Sequence, residues 1–199
     1  MRAATLSPTT TRLPGLDAAR GLAVLVMVLD HVLIVTGHPD SAVRATVTRA
    51  AMPLFMVVAG ALISRLRGRR LLRTAIAGLA LPMFVPWIDN PNILVLYVIG
   101  TLCVAGCRWA LGRTGLWLLV IAGLTGLANG YDAIGTGYPP NAVIALMGVG
   151  ALLGRTHLEQ AFSRLLRPGL RWLAYLGRRP LAVYLGHLVV LRLLEGVLA

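Results

Sequence analysis

The chain has 199 residues, is 57% hydrophobic and only 13% charged, and has a mean hydropathy of +0.78. That composition excludes an ordinary soluble domain and points to a membrane protein. The net charge of +12 comes from arginines set in short links between apolar runs, which fits topology signals and argues against nucleic acid as a partner.

A polar, Pro/Thr-rich lead (1–14) precedes the first apolar run. No small-residue cleavage pattern follows that run, and Asp30-His31 interrupts it where a signal core is purely apolar, so it reads as a retained transmembrane helix. Seven runs approach the length needed to cross a bilayer: 17–37, 45–64, 72–88, 92–107, 115–130, 139–154 and 180–198. The fourth to sixth are short, and Pro82 and Pro86 predict a kink or an end in the third. Scattered glycines, Gly78, Gly100, Gly123, Gly126, Gly148 and Gly150, permit close helix packing. Cys103 and Cys107 lack nearby ligating partners in the sequence and read as packing residues, with no metal expected.

Arginine placement tests this count. With the N-terminus inside, the inner side holds Arg2, Arg12, Arg65, Arg67, Arg69, Arg70, Arg73, Arg108, Arg113, Arg155, Arg164, Arg167, Arg171, Arg178 and Arg179. The outer links hold Arg44 and Arg49, with Asp40, Asp89 and Asp132. The bias predicts an all-α, polytopic transmembrane helical bundle of about seven transmembrane helices, N-terminus inside and C-terminus outside. The chain then forms a single integral-membrane domain over 1–199. Its basic cytoplasmic link, 155–179, reads as an interfacial helix with Phe162, Leu165 and Leu166 toward lipid and Arg164 and Arg167 at anionic headgroups. A functional alternative is that the link's arginines help hold a phosphorylated co-substrate.

The first run carries the chemistry. Arg20 and His31 lie about 1100° apart around a helix, about 20° from alignment, and roughly 16 Å apart along it. Ionisable groups in a bilayer are costly and mark function, so the two are expected to open onto one polar hollow. Neutral imidazole is a natural general base near neutral pH, which makes His31 the catalytic candidate. Asp30 points about 100° away from His31 and is free to meet another helix. Asp17, at i, i+3 from Arg20, either caps the helix and pairs locally or orients Arg20 toward a substrate. Arg49 reads as an interfacial anchor or an acceptor contact. In the last run, Tyr184 and His187 are spaced i, i+3. Counted from Pro180, His187 lies about 10 Å deep, closer to the depth of Arg20 than of His31. Arg192 and Glu195 read as an ion pair near the outer interface. No phosphate loop, zinc motif or serine elbow is present.

Three stretches carry a resemblance. RLPGLDAARGLAVLVMVLDHV, with Arg20 and His31, is similar to the opening of the integral-membrane acyltransferase-3 family. MPLFMVVAGALISR, Met52 to Arg65, resembles its second-helix pattern, although Ala59 stands where the family has serine. LGRRPLAVYLGHLVV, with Tyr184 and His187, resembles its closing helix. Membrane families with heparan-glucosaminide acetyltransferase domains, and a pilin-acetylating family, share such openings. The resemblance implies transfer of an acyl group, often acetyl, from cytoplasmic acyl-CoA to a glycan or lipid-linked acceptor of the cell envelope. His31 would act as base and Arg20 would position the donor, supported by Asp17, Asp30, Tyr184 and His187. Arg65, Arg178 and Arg179 would hold the co-substrate, and no cofactor would be bound permanently. The setting would be a multi-pass protein in the cytoplasmic membrane of a prokaryote, among membrane lipids, with a homo-oligomer left open. The alternative is a non-enzymatic protein, a small transporter or assembly subunit, using the same charges for permeation or helix docking.

Overall fold

The computed structural model describes residues 13–38, 42–43, 47, 50–65, 68–84, 93–128, 139–165 and 170–198. Seven α-helices account for most of them: α1 (Pro14–Val35), α2 (Ala51–Ala61), α3 (Gly68–Phe84), α4 (Ile93–Ala128), α5 (Pro140–Leu165), α6 (Arg171–Gly177) and α7 (Pro180–Leu198). A 3₁₀ turn, Ile63–Arg65, follows α2. The architecture is a helical bundle. Helices α1, α4 and α5 are, among the described residues, long and apolar enough to cross a membrane by length and composition.

Helix α1 begins with Pro14 in its first turn, where a missing N–H costs nothing, and carries Asp17 near the positive end of the helix dipole. Its N-cap is Leu13, whose side chain cannot cap. The cap comes instead from α5. Glu159 accepts the backbone N–H of Gly15 through Oε1 (2.9 Å) and that of Leu16 through Oε2 (2.8 Å). Ser163 Oγ donates to the same Oε1 at 2.9 Å and holds the carboxylate in place.

The expected fourth and fifth runs form α4, whose one non-helical residue is Gly112 (φ 60°, ψ −135°). In a continuous helix Gly100 and Gly123 would stand about 35 Å apart. Yet Gly100 lies against Val143 and Met147 of α5, and Gly123 lies against Ala145. The chain therefore doubles back at Gly112, and the two halves of α4 pass the same stretch of α5. A left-handed backbone at that point suits glycine. A second break, Gly154 (φ 74°), separates the apolar part of α5 from the segment bearing Glu159.

The main core joins Met52 and Met56 of α2, Leu96, Val104 and Leu116 of α4, and Val143 and Met147 of α5. Glycines let backbones touch where α2 crosses α5: Gly60 faces the Met147 carbonyl and Gly150 faces the Val57 carbonyl, with no space for a Cβ at either. The same device joins α1 and α6, where Gly21 meets Leu173 and Gly177 meets Asp17.

Several expectations need correction. The second run is shorter than 45–64, since α2 covers only Ala51–Ala61. Helix α3 runs through Pro82 and ends at Phe84, between the two prolines expected to kink or end it. In the 155–179 link, Phe162 does not face lipid. With Leu158 it packs on Leu16, Ala19, Val58 and Leu62, because the break at Gly154 turns this segment under α1 and α2. Leu173 and Ala174 of α6 are likewise buried, against Ala18 of α1. Residues Arg2, Arg12, Arg44, Arg49, Arg67, Arg167, Asp40, Asp89, Asp132, Leu166 and Pro86 lie outside the described residues, as do the side chains of Arg65, Arg164, Leu165 and Glu195.

Candidate active site

Helices α1 and α7 run side by side in the same direction and meet through imidazoles. His31 Nδ1 lies 2.7 Å from His187 Nε2, with the rings 5.0 Å apart between centroids and 13° from parallel. Tyr184 closes the group, its ring 6.0 Å from His31 and 5.4 Å from His187. The hydrogen-bond network assigns the tautomers. His187 Nδ1 is 3.2 Å from the Val183 carbonyl oxygen, which can only accept. That nitrogen therefore carries the hydrogen, and Nε2 of neutral His187 is an acceptor. His31 Nδ1 must then donate to it, which puts the lone pair of His31 on Nε2. The pair thus fixes which His31 nitrogen can take a proton.

The sequence expectation placed His187 near the depth of Arg20. The structure sets it against His31. Counting from Pro180 misjudged the depth, because the backbone at Gly177 already touches Asp17 and Gly21, at the level of Arg20. Ten residues on from Gly177 is His187, and eleven on from Arg20 is His31, so the two helices bring the imidazoles level.

Arg20 pairs with Asp17 at 3.8 Å, both side chains about four-fifths covered. Arg20 is also within electrostatic reach of Tyr97 on α4 and Arg70 on α3. Neither Tyr97 nor Arg70 stood out in the sequence as a site residue. Asp30 is half-buried on α1 beside His31. Arg178 and Arg179 are exposed in the turn before Pro180.

Arg20, Val24, Met27 and His31 form one stripe of α1, at i, i+4, i+7 and i+11. A cavity of about 50 Å³ lies along its middle, between α1, α2, α3, α4 and α7. Val24, Met27, Phe55, Leu94, Tyr97 and Leu181 wall it, and Tyr184 reaches it from the histidine end. Arg20 and His31 lie beyond the two ends of this stretch and neither lines the cavity, whose walls are apolar, so it is not the common polar hollow that was expected. Five helices meet there with side chains that do not fill the gap. Glu159, absent from the sequence-based site, had a signal: it is the single acid in the arginine-rich link, and Leu13 leaves α1 in need of a cap.

Residues 13–102 match the sequence profile of the acyltransferase-3 family, described as an acyltransferase domain. The matched stretch covers somewhat less than half of the chain. It spans α1 to the first turns of α4 and includes Arg20, His31, Arg70 and Tyr97, whereas Tyr184 and His187 come from beyond it. No curated protein and no solved structure matches the chain. The acyltransferase-3 match, with the long apolar helices, supports a membrane acyltransferase in general terms.

Proposed function

We propose that the protein is a multi-pass acyltransferase that moves an acetyl group from cytoplasmic acetyl-CoA to a hydroxyl-bearing acceptor such as an envelope glycan. The observation that carries this reading is the His31–His187 hydrogen bond of 2.7 Å. It presents His31 Nε2 as the proton acceptor beside an apolar cavity, on the helix that the acyltransferase-3 match covers.

Each group then has a task. His31 Nε2 takes the acceptor's hydroxyl proton as the new oxygen–carbon bond forms and the thioester carbon–sulfur bond breaks. The departing thiolate recovers that proton from the imidazolium, leaving free CoA, the acetylated acceptor and neutral His31. His187 holds the ring of His31 and shares the positive charge that develops on it, without touching the acceptor. Arg20, held by Asp17 about 16 Å from His31 along α1, positions a part of the donor remote from the reacting carbonyl. Arg178 and Arg179, with Arg65 and Arg70, supply guanidinium forks suited to the donor's phosphates. The cavity supports a short acyl group: about 50 Å³ is a third of the roughly 150 Å³ that receives benzene in an engineered cavity.

The test is consumption of acetyl-CoA. Purified protein supplied with an envelope fraction should release free CoA thiol, and acetyl-CoA binding should weaken on Arg20→Gln. If acetyl-CoA is neither bound nor consumed, the non-enzymatic reading of the same buried charges takes its place.

A further inference from the structure

We propose a second ligand site at the turn within α4, where Arg108 and Arg113 hold a phosphate group. None of its residues belongs to the histidine site. Gly112, with φ 60°, reverses the chain there and sets one guanidinium on each side of the reversal. Between them opens a cavity of about 240 Å³, lined by Arg108, Gly112, Arg113, Leu116, Ala151 and Leu152. Two arginines and no acid line it, and among the described residues neither arginine forms an ion pair. A hollow with two unneutralised cations selects an anion, and the planar guanidinium fork matches phosphate oxygens two at a time.

Size and surroundings narrow the ligand. Pockets that enclose a drug-sized molecule run to about 300–1,000 Å³. The volume here admits a phosphate and a small attached group, and falls short of a whole nucleotide-bearing donor. The neighbouring surface of α4 is apolar: Trp109 is 88% exposed and Trp117 53%, with Leu111 and Leu118 also exposed. Exposed indoles beside arginines are the composition of a membrane–water interface. The turn also sits toward the arginine-rich end of the bundle. Leu152 at its wall lies two residues before Gly154, and beyond that break Glu159 reaches the N-terminus of α1. A phosphate at this level arrives on an anionic lipid headgroup, whose chains lie along the exposed face of α4. The other source of the same chemistry is the phosphate-bearing end of a soluble nucleotide.

Two probes separate these sources on the full-length protein in neutral detergent: phosphatidylglycerol and adenosine 3′,5′-bisphosphate. Native mass spectrometry and thermal stabilisation should show phosphatidylglycerol bound to the wild type. In the double variant Arg108→Gln/Arg113→Gln its apparent Kd should rise at least tenfold, with the bisphosphate failing to compete. Bisphosphate binding that falls by the same factor in that variant keeps the phosphate site and assigns it to a soluble donor. Unchanged binding of both probes overturns the proposal. Both side chains are exposed, so the variant is expected to fold. If it does not, R108Q and R113Q read singly should each weaken binding severalfold, and no change in either overturns the site just as firmly.

Discussion

Two seams of the bundle are built on opposite terms. Where α5 meets α2 and the two halves of α4, contact is made by Gly60, Gly100, Gly123, Gly148 and Gly150 against backbone and apolar side chains, and the seam is closed except at its Gly112 end, where the arginine-lined hollow opens. Where α1 meets α7, contact is made by His31, His187 and Tyr184, and a cavity remains beside them. In lipid, helices gain little from burying apolar surface against one another, so a stable seam needs close backbone packing. The α5 seam supplies that rigidity, which leaves α1 and α7 able to carry imidazoles and a gap. The polar seam is in turn held at its end by Gly21, Gly177 and the Glu159 cap.

Substitutions can break this contrast from either side. The largest effect is expected on the closed seam. Gly150→Leu has no room against the Val57 carbonyl and should cost on the order of 4–5 kcal/mol, seen as loss of a monodisperse species in detergent. At the open seam the loss should be of rate and not of fold. Replacing His187 by Leu removes the acceptor for His31 Nδ1 and should slow transfer about 10- to 100-fold, by analogy with the loss of a partner that orients a metal-bound histidine. His187→Gln keeps an oxygen acceptor and should recover part of that loss. Equal rates in the two variants would detach His187 from the tautomer of His31.

Widening the cavity is a gentler change. Met27→Ala should move the acyl-length optimum upward, each added methylene gaining about 0.8 kcal/mol or roughly fourfold in selectivity. Competition between acetyl-CoA and butyryl-CoA reads it, and an unshifted preference would separate the cavity from the acyl group. Smallest is Glu159→Gln, which weakens the α1 cap by about 1 kcal/mol and should lower Tm by about 2–4 °C, with the chemistry retained.

Much of this contrast could be read from residue order. The stripe from Arg20 to His31 follows from helical repeat alone, and the apolar runs place α1, α3, α7 and the part of α5 before Gly154 to within a few residues. What escaped depends on contacts between distant parts of the chain. The reversal at Gly112 reads in sequence as one glycine among 22. The packing of Phe162 depends on the break at Gly154, and the meeting of His187 with His31 on how deep Gly177 sits against α1. No local pattern encodes a depth of that kind, and none reveals a cavity left by five converging helices.

Transfer from acetyl-CoA by His31→Ala, assayed in the same membranes as wild type at matched protein levels, is the measurement on which the proposed mechanism turns. The His31 base predicts a rate lower by about 10² to 10⁴, with expression and membrane insertion unchanged. A variant that transfers acetyl at the wild-type rate would contradict it and leave the imidazole pair as a helix-docking contact.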